Sequence, residues 1–180
     1  MSYLPSNPNA NLIDAFKATP EAAHHLHHFA QTVMRGPTQL TALQRELIAA
    51  RVSHANGCVY CRDSHLATAR NLGADEDTLR SVVEDSVPAV DGAMRAAFAY
   101  ADKLNDRHRE MEQGDVDAFL AAGWDEAALH NVILVVGFFN MMNRWIEGLG
   151  IGSDPKLVEM AGRMLAGSGY TSVNDLLGRG

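Results

Sequence analysis

Every apolar run in this chain repeats with helical spacing, and none alternates with the period of two that a half-buried strand needs. Asn56-Gly57, a dipeptide that often turns a β-hairpin, separates two helical patterns and so acts as a helix stop. These two constraints leave an all-α fold, a bundle of short and medium helices. The spacing predicts a short helix around residues 8–18, ended near Pro20, and a second over 20–35 with Pro20 in its first turn and Gly36-Pro37 at its end. A third starts at Thr41, whose spacing to Gln44 is that of a capping box, and runs to about Ala55 with Leu43, Leu47, Ile48 and Val52 on one face. A fourth runs from about Cys58 to Leu72, ended by Gly73. Asp75 begins a short helix to about Glu84, Pro88 breaks the chain, and Asp91 caps another to about Leu104. Residues 114–122, 125–148 and 155–166 complete the set. The 125–148 segment is apolar around most of its circumference, which makes it central or part of a subunit interface. The Gly- and Ser-rich tail after Gly167 is expected to be mobile or bound to a partner.

Length bounds the rest. The 180 residues make a single domain, with a core over about 20–155 and a C-terminal extension over 156–180. A chain this long buries roughly 70% of its unfolded surface and needs no covalent staple. The formal net charge of −7 offers no basic stripe for nucleic acid or for an anionic membrane surface. The start, Met1 to Pro5, has neither a basic nor an apolar leader region, and the most apolar run, Val132–Phe139, is far shorter than a membrane span. The expected location is cytoplasmic. In that compartment two cysteines three residues apart are redox-active or metal-binding more often than a staple.

Cys58, Cys61 and His65 share one face of the fourth helix, at i, i+3 and i+7. A helix N-terminus carries about half a positive charge and favours a thiolate. A protonated His65 would add to that, lowering a thiol pKa from its usual value near ~8.5. A thiolate attacks peroxides and disulfides, and a second thiol one turn away resolves a sulfenic acid as a disulfide. Glu46, on the preceding helix, sits about three turns back from the turn at Asn56. If its face packs inward, it is the carboxylate of a proton relay through His65. Three bland readings compete: two buried cysteines acting as small hydrophobes, a solvated Glu46, and a zinc site using Cys58, Cys61, His65 and His54. No second cysteine pair exists to complete such a zinc site, so no metal is expected.

The string Glu46-x11-Cys58-x2-Cys61-x3-His65, set in ELIAARVSHANGCVYCRDSHLATARNLG, resembles the AhpD-like alkylhydroperoxidases of the carboxymuconolactone decarboxylase superfamily, and within it the uncharacterised peroxidase-related branch. The resemblance extends through TALQRELIAARVS, FAYADKLN and FFNMMNRWIEGLGI, covering about residues 20–155. It implies a helical homo-oligomer (dimer, trimer or hexamer), an antioxidant activity that reduces organic hydroperoxides, Cys61 as the attacking thiol and Cys58 as the resolving one. It implies a relay through Glu46 and His65, no bound cofactor, and regeneration by an external dithiol of lipoyl type or by a thioredoxin-like partner protein. The best-known members carry a histidine directly before the second cysteine, where this chain has Tyr60. With a pKa near ~10, tyrosine is a poor proton acceptor at neutral pH; His54 is the candidate substitute.

Other residues attract attention. His24, His25, His27 and His28 include the i, i+4 spacing of a zinc pair, but no HExxH order, and a partly exposed helix is the simpler reading. Asn140, Met141, Met142 and Asn143 are expected near the thiols, with Asn143 a candidate for the shell of the site. Trp124 and Trp145 are expected as core or interface anchors. Two other functions compete with thiol redox chemistry: a catalytically inert helical oligomer or binding module, and a lyase of the carboxymuconolactone decarboxylase kind holding a small acidic lactone.

Overall fold

The computed structural model describes residues 2–84 and 90–178. Among these there are ten α-helices, one turn of 3₁₀ helix and no strand. They are α1 (Leu12–Ala18), α2 (Pro20–Arg35), α3 (Ala42–Ala55), α4 (Val59–Asn71), α5 (Glu76–Ser81), α6 (Gly92–Arg107), α7 (Gln113–Ala121), α8 (Glu126–Leu149), α9 (Pro155–Ser168) and α10 (Ser172–Leu176). The expected break at Pro88 lies outside the described residues.

Local chemistry explains where these helices begin and end. The capping box at Thr41 forms: its Oγ1 accepts from the Gln44 amide at 3.2 Å, and Gln44 Oε1 accepts from the Thr41 amide at 2.9 Å. Asp125 caps α8 by accepting from the Ala128 amide at 2.7 Å, and Gly150, at φ +65°, closes its other end in the left-handed conformation. The first helix starts later than its periodicity suggests, because residues 5–9 form turns and Asn11, itself extended, makes the capping box with Asp14 that opens the helix.

The centre is the antiparallel pair α3 and α4. Gly57, at φ +73°, permits the reversal, and the Cys58 amide donates back to the Ser53 carbonyl at 2.9 Å. Cys58 therefore stands at the N-cap of α4 and Cys61 in its first turn. α8 packs across α3 and α6, while α9 lies along α4. Gly162 permits that last approach, since a Cβ there would fall 2.7 Å from the Ala67 Cβ and 2.8 Å from its backbone carbon. Arg45, itself buried, ties the α2–α3 connection together by donating to the carbonyls of Val33, Gly36 and Leu40 at 2.8–3.0 Å.

Two expectations need correction. The tail after Gly167 is folded: it inserts Tyr170 among the buried groups of α3 and α4 and forms α10 against α2. The short Val132–Phe139 run understated α8, which is long and apolar enough to cross a bilayer by length and composition. Here it carries Val132, Val135, Phe139 and Ile146 into the core, while Ile133, Leu134 and Met141 stay exposed. The histidine-rich stretch of α2 is a partly exposed helix, as expected, with His27 buried between Phe16 and Asn174.

Candidate active site

Four residues singled out from the sequence come together at the α3–α4 pair. Glu46, on α3, is fully buried. Its Oε2 lies 2.6 Å from His65 Nδ1, on α4. His65 and Cys61 are successive residues of one α4 face, and both line the same cavity, of about 110 Å³. Cys58 lies behind them, with no exposed surface. Both sulfurs are thiols. Phe139 of α8 meets the His65 ring edge-on at a centroid distance of 4.2 Å and fixes its plane.

Two further residues complete the carboxylate's surroundings, and sequence spacing gave no sign of either. Arg35, at the end of α2, donates from Nη2 to Glu46 Oε1 at 2.7 Å. The Tyr170 hydroxyl donates to both Glu46 oxygens, at 3.0 and 3.2 Å. The Arg35 guanidinium also stacks over the Tyr170 ring, 5.2 Å from its centroid. Their only advance signals were negative ones: an arginine at a helix end facing an apolar region, and an aromatic residue in a Gly/Ser-rich tail. Burial alone would raise the Glu46 pKa, but hydrogen bonding to His65, the charge of His65, and the adjacent Arg35 together hold it below the ordinary carboxylate value. Tyr170 is pushed well above the usual phenol range, chiefly by burial and then by the Glu46 charge, so it acts as a neutral donor.

Cys61 departs from the expectation of a thiol activated by the helix N-terminus. The Cys61 thiol is pushed well above the usual range, first by its hydrogen bond with Cys58 and then by burial, against a smaller lowering by Asn143. The helix N-terminus lies at Cys58, while Cys61 sits one turn in, against its partner thiol and away from water. Tyr60, beside them on the cavity wall, is raised to about 12, chiefly by burial. It stays a phenol at neutral pH and cannot take up the proton-accepting role of the family histidine. His54 does not replace it: the structure leaves it exposed, lining a separate cleft with Arg51, Asp102 and Arg107. Asn143 does belong to this region; its side chain bridges Ser53 at 3.1 Å and Asn56 at 2.9 Å, pinning α8 to the turn that precedes Cys58. Met142 lines the cavity, but Met141 is exposed and Asn140 bonds instead to Asn105, at 2.6 Å. Among the described residues no group of three or more His, Cys, Asp or Glu is placed to hold a metal ion, including the histidines of α2.

The cavity is walled by α1, α2, α4, α8, α9 and α10, and no Arg, Lys, Asp or Glu side chain lines it. A thiol and an imidazole therefore meet an apolar chamber, with a fixed carboxylate behind the imidazole.

A family model described as the carboxymuconolactone decarboxylase family matches residues 20–103, the stretch that holds Arg35, Glu46, both cysteines and His65. Over that stretch, a little under half its length, the chain is similar to the carboxymuconolactone decarboxylase family. Its fold is shared with several solved structures. An uncharacterised peroxidase-related protein from Silicibacter sp. TM1040 is 27% identical, with 81% of this chain and 76% of that one covered at a TM-score of 0.76. An alkylhydroperoxidase AhpD core, peroxidase-related protein from Ralstonia eutropha JMP134 is 21% identical, with coverage of 83% and 78% and a TM-score of 0.75. A protein of unknown function from Agrobacterium tumefaciens, named as a candidate antioxidant defence protein AhpD, is 23% identical, with coverage of 81% and 99% and a TM-score of 0.70. No curated protein matches the chain.

Proposed function

We propose that this chain is a thiol-dependent peroxidase of the AhpD/carboxymuconolactone decarboxylase superfamily that reduces organic hydroperoxides at Cys61. The observation that carries the reading is the buried line from Arg35 and Glu46 to His65, ending beside Cys61 at the wall of an apolar cavity. In the neutral form of the ring, with Nδ1–H donated to the anionic Glu46, the other ring nitrogen carries a lone pair and can take a proton. His65 removes the Cys61 proton as the peroxide enters. The thiolate sulfur attacks the terminal peroxide oxygen, the O–O bond breaks, and the alkoxide leaves with the proton returned by His65. The products are an alcohol and a sulfenic acid on Cys61. Cys58 then attacks that sulfur, water leaves, and a disulfide joins the pair. An external dithiol, of lipoyl type or on a thioredoxin-like protein, reduces the disulfide and is itself oxidised.

The raised Cys61 pKa leaves the resting residue a thiol, so this chemistry needs His65 to take its proton. A lyase acting on a small acidic lactone is less well supported, because no cationic side chain lines the cavity to hold a carboxylate. An inert module leaves the buried ionic cluster without a use, and such clusters are costly compared with apolar packing.

Cys61→Ser tests the reading. Cumene hydroperoxide consumption supported by dihydrolipoamide is expected to fall to background in this variant, with the helical circular dichroism unchanged. Undiminished turnover would overturn the proposal.

A further inference from the structure

The cavity that holds Cys61 and His65 meets solvent through an apolar mouth. The two most exposed residues of its lining are Met160 of α9 and Leu176 of α10, at 44% and 50%. Leu12 and Ile13 of α1, and Leu157 and Met164 of α9, line it too and are partly exposed. Three helices thus bring six apolar side chains to the place where water reaches the cavity. An open apolar patch of this kind marks a surface that an apolar ligand covers. The enclosed part is small: its volume of about 110 Å³ falls below that of engineered cavities, on the order of 150 Å³, that take up benzene. A molecule that reaches Cys61 and also covers Met160 and Leu176 is therefore longer than the cavity, and its outer part lies along the mouth.

Charge restricts the two ends of such a molecule differently. No Arg, Lys, Asp or Glu lines the cavity, so an ionised group inside would lose its water and gain no partner. Just outside, positive charge is at hand. The chain has three lysines, and Lys103 is paired with Asp115. The other two flank the mouth: Lys156 stands one turn before Met160 on α9, and Lys17 one turn after Ile13 on α1. Both are exposed, and neither is in an ion pair among the described residues. Of the acids beside them, Glu159 is bound to Arg163 and Asp14 accepts from the Asn11 amide, which leaves Asp175 next to Leu176. In a chain of net charge −7, two unpaired lysines at one opening are a local reversal of sign.

We infer that the site takes a single-chain amphiphile with an anionic head, a hydroperoxide of the fatty-acid type. The chain carries its –OOH group into the cavity to Cys61, covers Leu12, Met160 and Leu176 on the way, and leaves its carboxylate in water beside Lys17 and Lys156. This deepens the peroxidase reading by naming its substrate class, and it rests on that reading only for the identity of the reacting group. The product is the corresponding chain alcohol, formed with the Cys58–Cys61 disulfide and water as described above. Met160 and Leu176 are then specificity residues for chain length, and the two lysines for the sign of the head.

Three unreactive probes separate chain length from charge: decanoate, butanoate and decyltrimethylammonium, each titrated calorimetrically into the reduced full-length protein below its micelle-forming concentration. Decanoate is expected to bind at one site, with butanoate at least about tenfold weaker because it buries fewer methylenes. The decyl cation is expected to be weaker than decanoate as well, although the net charge of the chain attracts cations, so that preference would report the local lysines. In the double variant Lys17→Gln, Lys156→Gln, both positions being exposed, decanoate is expected to weaken about threefold to tenfold. The unmutated protein with ¹³C-labelled methionine methyl groups locates the chain. Decanoate is expected to shift Met142, Met160 and Met164, which line the cavity, and to leave Met141, exposed on α8, in place. Absence of saturable decanoate binding, equal affinity for butanoate or for the decyl cation, an unaffected lysine variant, or shifts confined to Met141 would overturn the inference. None of the probes can be reduced, so this result and that of the Cys61→Ser test can fail independently.

Discussion

Glu46 is the residue on which most of the site depends. It is fully buried, it carries a charge, and three separate segments donate to it. Its depressed pKa has a definite consequence for stability. The unfolded chain takes up a proton near the ordinary carboxylate value of 4.5, while the folded chain resists until a lower pH. The stabilisation is therefore present in full above that value and is lost as the pH falls below it. Urea denaturation at neutral pH and near pH 4 is expected to show a gap between the wild type and Glu46→Gln that narrows in acid; a gap independent of pH would contradict the ionised assignment. Removing the Tyr170 hydroxyl alone, with Tyr170→Phe, keeps the ring under Arg35 and deletes one charge-assisted donor. The expected loss is about 1.5–3 kcal/mol in denaturant midpoint stability, with slower peroxide turnover and an acid limb of the pH–rate profile moved upwards. Cys58, Cys61, His65 and Glu46 were legible in the sequence because they lie on two consecutive helices, where fixed periodicity turns spacing into geometry. Arg35 and Tyr170 were not, because no spacing rule links the end of α2 or the tail to the middle of α3. His54 was read as a neighbour for want of a helical phase: it shares α3 with Glu46 but occupies an exposed face.

At the scale of elements, α9 acts as the cover of α4. The two helices approach closely enough that Gly162 has no room for a methyl group. Alanine there would gain about 1 kcal/mol in helix propensity. The displaced contact includes Ala67 backbone, which cannot rotate aside, so overpacking of about 1–3 kcal/mol should outweigh the gain. Gly162→Ala is expected to lower the melting temperature and to speed alkylation of Cys61 by iodoacetamide, since Ala161, Met164 and Leu165 of α9 wall the cavity. An unchanged or raised melting temperature would show that the helices separate freely. Most helix ends were readable from caps and stops, such as the Thr41 box and Gly150, because these are local hydrogen-bonding problems with local solutions. The starts and ends that moved, at Leu12, Ser81 and Arg107, are those where tertiary contacts or a different cap overrode periodicity.

For the molecule as a whole, the C-terminal extension belongs to the site. Tyr170 meets Glu46 and Asn174 meets His27, so one short segment braces two buried polar groups at the site. Its composition suggested mobility because Gly and Ser dominate its start, while the few buried residues that fix it are too sparse to form a pattern. Truncation after Ser168 is expected to leave a folded helical body, to cost about 3 kcal/mol or more from the lost burial of Tyr170 and Val173, and to raise thiol reactivity. Full loss of helical signal would show instead that the tail is needed to fold at all. The division of labour between the two sulfurs is the claim on which the proposed chemistry rests, and mass spectrometry after one equivalent of cumene hydroperoxide tests it most directly. The expected products are a Cys58–Cys61 disulfide in the wild type and, in Cys58→Ser, a sulfenic acid on Cys61 captured by dimedone. A dimedone adduct on Cys58 in Cys61→Ser, with none on Cys61 in the reciprocal variant, would contradict the account.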